Sequence, residues 1–234
     1  MSINKGLNLL NQKIVYDITK FTTTDYVGHL SCIIWFVGCN YRCLYCYNDD
    51  IVYSKKGKYC ANEILEFLQK RVGLLDAVVL SGGEATIYDL TSICKEIKKL
   101  GFKIKLDTNG TNFPLIKKLI QNNLLDYMAI DFKAPKEKFK SITGLNLYDK
   151  FIKTIKYLIK IDFDFELRTT INSSLLNEND INSMISTISK LEYKNIYYLQ
   201  NFLETSSNIG NISSSLKIEE SKIEKQNLTI QWRN

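Results

Sequence analysis

At 234 residues the chain can bury a core without disulfide staples, and its 45% hydrophobic and 24% charged composition excludes a disordered or fibrous protein. Lysine and arginine (31) exceed aspartate and glutamate (25) by six, a modest surplus spread along helical stretches that argues against a dedicated nucleic-acid surface. No apolar run is long enough to span a membrane and no secretory leader opens the sequence, so the expected location is cytoplasmic, with no membrane partner.

From residue 31 to about residue 203 apolar, β-branched runs alternate with amphipathic ones. Strands are expected at 31–37, 76–80, 103–107, 126–131, 164–171 and 195–200. Between them Ile64, Leu65 and Leu68 share a helical stripe, and so do Leu90, Ile93, Cys94 and Ile97. The stripes continue with Leu115, Ile116, Leu119 and Ile120, then Ile152, Ile155 and Ile159, then Ile181, Met184, Ile185 and Ile188. Strands alternating with helices imply an α/β fold with a parallel sheet and right-handed crossovers. Most of the strands end in chemically capable residues, which is where barrels build their sites, so a partial (β/α)6 barrel is preferred over an open doubly wound sheet. Asn109-Gly110 alone reads as an ordinary turn. The expected organisation is one domain: an extension over 1–30, a core over 31–203, and a tail over 204–234. In that tail 206–215 reads as a loop and 227–232 as a short terminal strand.

Cysteine usage carries the chemistry. Cys32, Cys60 and Cys94 stand apart and read as small buried hydrophobes. Cys39, Cys43 and Cys46 form C-x3-C-x2-C directly after a predicted strand. Three thiolates on one short loop suit three corners of a [4Fe–4S] cluster, leaving one iron open for chemistry. The rival is a zinc site completed by His29, Cys32 or Cys60, but zinc sites usually pair C-x2-C knuckles, and neither His29 nor Cys60 offers a close companion ligand. Lys133, Lys136, Lys138 and Lys140 make the densest basic segment, which in itself reads as a solvated face.

Around that motif stand Asp25-Tyr26-Val27-Gly28, Ser81-Gly82-Gly83-Glu84, Asp107-Thr108-Asn109-Gly110, Asp131-Phe132-Lys133-Ala134-Pro135 and Arg168-Thr169-Thr170. In this order, over about residues 16–203, the sequence resembles the radical S-adenosylmethionine (SAM) enzymes. Among these it is most similar to the activating proteins of anaerobic ribonucleoside-triphosphate reductase, within the glycyl-radical-enzyme activases. The resemblance implies a [4Fe–4S] cluster on Cys39, Cys43 and Cys46, and SAM on its open iron. Reductive cleavage of SAM would give a 5′-deoxyadenosyl radical that takes hydrogen from a backbone glycine of a large partner. No catalytic side chain is implied beyond cluster and cofactor.

It further implies that Gly82, Gly83 and Glu84 meet the cofactor's amino group, that Tyr45 and Asn48 lie near it, that Asp107, Asp131 and Lys133 lie beneath it, and that Arg168 faces its carboxylate. The signs suit a ligand carrying both an ammonium and a carboxylate, and the glycines would let backbone approach. For Lys133 the plain alternative is a solvated surface lysine; for Arg168 it is an ion pair with Glu166 or Asp131. Tyr47, Ala85 and Val27 replace a histidine, a proline and a proline common in the family, and no histidine follows His29. With no second cysteine cluster, the electron must come from a separate flavodoxin- or ferredoxin-type donor. Two other functions compete: a radical SAM enzyme acting on a small molecule such as a deazapurine precursor, and a zinc- or cluster-stabilised binding module.

Overall fold

The computed structural model describes residues 10–213 and 218–233. They fall into two compact units.

The first unit comprises residues up to Asn40, Asp50–Thr108 and Asn112–Met128. Its strands are β1 (Val15–Thr22), β2 (Ser31–Phe36), β3 (Ala77–Gly82) and β4 (Lys103–Thr108). The last three are parallel and in chain order, with Ile33 beside Val79 and Val79 beside Lys105. Strand β1 is an addition that the repeat did not anticipate: it pairs antiparallel with β2, Ile18 opposite Ile34, and carries two register shifts. Helix α1 (Asp49–Tyr53) lies almost entirely in this unit, followed by α2 (Ala61–Gln69), α3 (Thr91–Lys99) and α4 (Phe113–Gln121). Each of the longer helices buries most of the stripe read from its sequence, Ile64 and Leu68, then Ile93, Cys94 and Ile97, then Leu115, Ile116 and Leu119, while Leu65 and Ile120 are half-buried. Burial of each large aliphatic side chain is worth about 1.5–3 kcal/mol. Helix α4 starts where Asn112 accepts a hydrogen bond from the Leu115 N–H (3.3 Å), with proline in its first turn.

On the other face of these strands Tyr26 packs with Ile33, Ala77, Val79, Trp35 and Tyr127. Its ring stacks on Tyr127 at 5.6 Å between centroids. The Asp25-Tyr26-Val27-Gly28 motif is therefore a hydrophobic plug. Val27 is 76% exposed and Gly28 adopts φ 79°, so valine in place of proline disturbs no packing there.

The second unit comprises Tyr41–Asp49, Asn109–Thr111 and the residues from Ala129 onward. Strand β5 (Tyr127–Asp131) begins in the first unit and ends in this one. Strands β6 (Phe165–Ile171), β7 (Tyr197–Asn201) and β8 (Ile230–Arg233) are parallel, with Leu167 beside Tyr197 and Tyr197 beside Ile230. The helices are α5 (Phe139–Thr143), α6 (Tyr148–Lys160) and α7 (Glu178–Lys190). Helix α7 opens with a capping box in which Asn177 and Asp180 bond each other's backbone N–H. Phe132, Phe139, Tyr148 and Phe151 form an aromatic core, the Phe132 and Phe151 rings 4.8 Å apart. The expected terminal strand exists as β8, and the described part of the 206–215 loop is irregular. Among the described residues no helix is long and apolar enough to cross a membrane.

Candidate active site

In the first unit the site residues stand at the C-terminal ends of β2, β3 and β4. Backbone hydrogen bonds from Gly83 N–H to the Phe36 carbonyl and from Glu84 N–H to the Gly38 carbonyl, each 2.9 Å, lock the Gly-Gly-Glu loop onto the segment that leads to Cys39. The glycines are explained by that contact. A Cβ on Gly83 would lie 2.0 Å from the Gly38 carbonyl oxygen, and one on Gly82 would lie 2.3 Å from the Phe36 nitrogen. They are thus required for backbone to meet backbone here.

Glu84 is 2% exposed. Its Oε1 accepts from Thr86 N–H (3.1 Å), Thr86 Oγ1 (2.5 Å) and Thr108 Oγ1 (2.7 Å). The carboxylate thereby caps the 3-10 turn Ala85–Ile87, and Asn112 Nδ2 closes the other side on the Thr86 carbonyl (2.6 Å). The turn forms with Ala85 where the family commonly has proline, since its hold comes from Glu84. Next to it on β4, Lys105 is 4% exposed, donates to the Asp25 carbonyl (2.5 Å) and pairs with Asp107 Oδ1 (3.2 Å). Asp107 also accepts from Ser81 Oγ at 3.5 Å.

In the second unit, Asp131 sits between two cations: Arg168 Nε at 3.0 Å and Lys133 Nζ at 3.2 Å. Burial pushes the Asp131 carboxyl pKa up, but Arg168 and Lys133 outweigh it and hold the pKa below the usual carboxylate value. Lys133 is not a solvated lysine. Its side chain is 13% exposed and its ammonium lies over the Tyr45 ring, 5.7 Å from the centroid. Of the two partners weighed for Arg168, Asp131 is bound through Nε; Glu166 makes a bidentate pair with Arg233. Two of the remaining lysines of the basic segment are also engaged, Lys138 with Asp180 at 2.6 Å and Lys136 with Asp149 at 3.4 Å, while Lys140 is exposed.

The loop bearing Cys43 and Cys46 runs against this cluster. Arg42 N–H donates to the Thr143 carbonyl (2.9 Å) and Leu44 N–H to the Ile142 carbonyl (3.0 Å), so the end of α5 fixes one side of it. Burial pushes the Cys43 thiol up to about 11 against the pull of the Lys133 ammonium, and it also raises Cys46 and Tyr45. Cys46 receives a hydrogen bond from the Asn48 backbone, while Tyr47 is 51% exposed. None of the six cysteines is in a disulfide. Cys32 and Cys94 are fully buried, with thiols driven up to about 12, as expected of packing residues. Cys60 differs: it is half-buried and caps α2. Asn109 holds Thr111 in an ordinary turn through its Oδ1. Among the described residues no three His, Cys, Asp or Glu side chains are gathered as around a single metal ion.

The profile of the Radical SAM superfamily matches residues 33–191. The chain belongs to this superfamily. A relative from Methanocaldococcus jannaschii, named as a glycyl-radical enzyme activating enzyme, is 33% identical over 199 residues, covering 81% of this chain and 80% of its own length. A relative from Pyrococcus horikoshii, named as a GTP 3′,8-cyclase, is 28% identical over 152 residues, covering 63% of this chain and 48% of its own. The crystal structure of Streptococcus suis SuiB bound to S-adenosylmethionine superposes with a TM-score of 0.63 at 13% identity, over 86% of this chain and 52% of that one. This chain is therefore a radical SAM enzyme in fold, with activating enzymes among its relatives, and the cofactors of that superfamily are a [4Fe–4S] cluster and SAM. It spans about half the length of SuiB and of the cyclase.

Sequence reasoning missed three supports of the site. Thr86 and Thr108 fix Glu84, Lys105 ties the Tyr26 plug to Asp107, and the end of α5 holds the cysteine loop. Only Lys105 left a signal, a lysine between the apolar Ile104 and Leu106 in mid-strand.

Proposed function

We propose that this radical SAM chain is a cytoplasmic activase that installs a glycyl radical on an anaerobic ribonucleoside-triphosphate reductase, drawing its electron from a flavodoxin- or ferredoxin-type donor. Cys39, Cys43 and Cys46 are the proposed cluster ligands. When bound, the reduced cluster would supply one electron to SAM, whose sulfonium C–S bond would break to give methionine and a 5′-deoxyadenosyl radical able to take hydrogen from a glycine. The observation that carries the reading is the union, in one compact unit, of Cys43, Tyr45 and Cys46 with Asp131, Lys133 and Arg168.

The donor set fits the cofactors. Three thiols lie within eight residues, outside any disulfide, and a cation stands beside the buried Cys43. Loading must displace the thiol protons, which the ammonium of Lys133 assists electrostatically. Arg168 and Lys133 give a positive surround for the carboxylate of SAM, and Asp131 fixes both in place. Glu84, oriented by Thr86 and Thr108, is the proposed partner of the SAM ammonium, with Gly82 and Gly83 holding its loop. Tyr45 and Asn48 are further proposed cofactor contacts, as is Asp107, which pairs with Lys105.

Anaerobic reconstitution with iron and sulfide, reduction, and measurement of 5′-deoxyadenosine released from SAM test this. Release should vanish in Cys39→Ala, Cys43→Ala and Cys46→Ala and survive in Cys94→Ala; release that survives loss of Cys43 overturns the ligand assignment. A glycyl radical signal on an added reductase then tests the partner. The resemblance to a GTP 3′,8-cyclase supports a second reading, action on a small purine substrate, for which SAM cleavage would be stimulated by a purine nucleotide and not by the reductase.

A further inference from the structure

The tail that the family likeness leaves out, 204–234, contributes to the site. Ile209 N–H donates to the Cys46 carbonyl (3.0 Å) and Gly210 N–H to the Leu44 carbonyl (2.8 Å). On the opposite side Arg42 and Leu44 donate to α5. The turn from Arg42 to Cys46, closed by Cys46 N–H on the Cys43 carbonyl (2.9 Å), is thus held by backbone bonds to two neighbouring segments, with the tail as one of them. We propose that residues 208–212 are a strap that positions the Cys43–Cys46 loop for the cluster, with Gly210 and Asn208 as its positioning residues, an inference resting on the ligand assignment above.

The strap is built for this contact. A Cβ on Gly210 would meet Leu44 Cβ at 2.7 Å and the Leu44 carbonyl oxygen at 2.8 Å, so any side chain drives the two segments apart. Asn208 is 7% exposed and closes the strap on itself: its Oδ1 accepts from Ile212 N–H (2.8 Å) and its Nδ2 donates to the Ile212 carbonyl (2.7 Å). Both ends are pinned, one by Ser207 Oγ on Asp49 (3.2 Å), the other by Asn172 Nδ2 on the Ser213 carbonyl (3.0 Å). Asn172 is itself 1% exposed just past β6, which anchors the strap to the sheet. A segment with two bonds to the loop, no room for a side chain and two anchors constrains where the thiols of Cys43 and Cys46 can move.

The test uses the full chain without cluster first. Alkylation by iodoacetamide, read cysteine by cysteine in a mass spectrometer, should speed up on the order of tenfold at Cys43 and Cys46 in Gly210→Ala and in Asn208→Ala, because local opening no longer breaks the strap bonds. Cys32 and Cys94 should stay protected and Cys60 unchanged. Deuterium exchange at the Ile209 and Gly210 amides should rise in Asn208→Ala alongside. After reconstitution both variants should retain less iron and show a broadened electron paramagnetic resonance signal. Should Gly210→Ala unmask Cys32 and Cys94 as well, the chain has unfolded and Asn208→Ala decides. Alkylation of Cys43 and Cys46 at the wild-type rate in Asn208→Ala overturns the strap. A strap effect in a wild-type chain that takes up no cluster leaves the strap standing and removes the cluster reading instead.

Discussion

Thr108→Val isolates the hydroxyl that holds Glu84. The substitution keeps shape and removes one donor, 2.7 Å from Oε1, at a residue 3% exposed. A hydrogen bond to a charged group contributes about 1.5–3 kcal/mol net, and water cannot replace this one, so a loss of about 2 kcal/mol is expected. Thr91→Val is the matched control: its hydroxyl also meets a carboxylate, Asp89 at 2.5 Å, but Asp89 is 62% exposed, and the loss should stay under about 0.5 kcal/mol. Urea unfolding of the chain without cluster, followed by circular dichroism, measures both, with the slope unchanged if only stability moved. Coupling between Thr108→Val and Glu84→Gln in a double-mutant cycle should account for about half of the loss or more, since the residues touch. A Thr108→Val loss no larger than that of Thr91→Val refutes the account of Glu84 as a carboxylate fixed from below.

Gly83→Ala forces a Cβ to 2.0 Å from the Gly38 carbonyl oxygen and should cost at least about 1–3 kcal/mol, the range for overpacking; an unchanged melting temperature would contradict the contact. Asp131 has a depressed pKa, so its charge stabilises the fold above the ordinary carboxylate value of 3.8, and that contribution is lost as pH falls through the lower folded value. Asp131→Asn should therefore be less stable than wild type at neutral pH and lose less on acidification; parallel stability curves through that range would count against it. Arg233→Met removes the bidentate cation from Glu166, whose side chain is 7% exposed, and should cost about 2–3 kcal/mol in thermal unfolding, below the full value for a buried pair because Arg233 is itself 31% exposed. A silent substitution there would mean the pair between β8 and β6 adds nothing to stability.

Most of the parallel strands were legible as short runs rich in apolar residues that end near Gly, Asp or Asn, and the longer helices from apolar residues recurring at the helical period. In α6, however, the buried face is Phe151, Ile155 and Leu158, and of the expected Ile152, Ile155 and Ile159 only Ile155 is buried. Strand β1 was not, since its VYDITKFT sequence sits outside the repeat and its pairing is antiparallel. Helices α1 and α5, five residues each, are too short to display a period. Within the site, Glu84 was visible as part of a motif, whereas Thr108 lies 24 residues away and meets it only through β4. Glu166 and Arg168 lie two apart on one face of β6, so spacing left the partner of Arg168 open, and the Arg233 pair with Glu166 was out of sight because β8 lies more than sixty residues on. The strap was out of reach because backbone bonds between loops leave almost no mark on side-chain identity, apart from a lone glycine.

The antiparallel first strand also has a consequence for how copies of the chain meet. Strand β2, SCIIWF, is almost wholly buried and without β1 would present a flat apolar edge for a second molecule to extend. Strand β1 replaces it with a rim that is kinked twice, bears the Asp17–Lys58 pair, and is covered at Val15 by a bridge to Tyr59. A growing ladder of strands finds no straight stretch there to copy, so the protein keeps its most adhesive strand inside and turns toward its neighbours one that resists stacking.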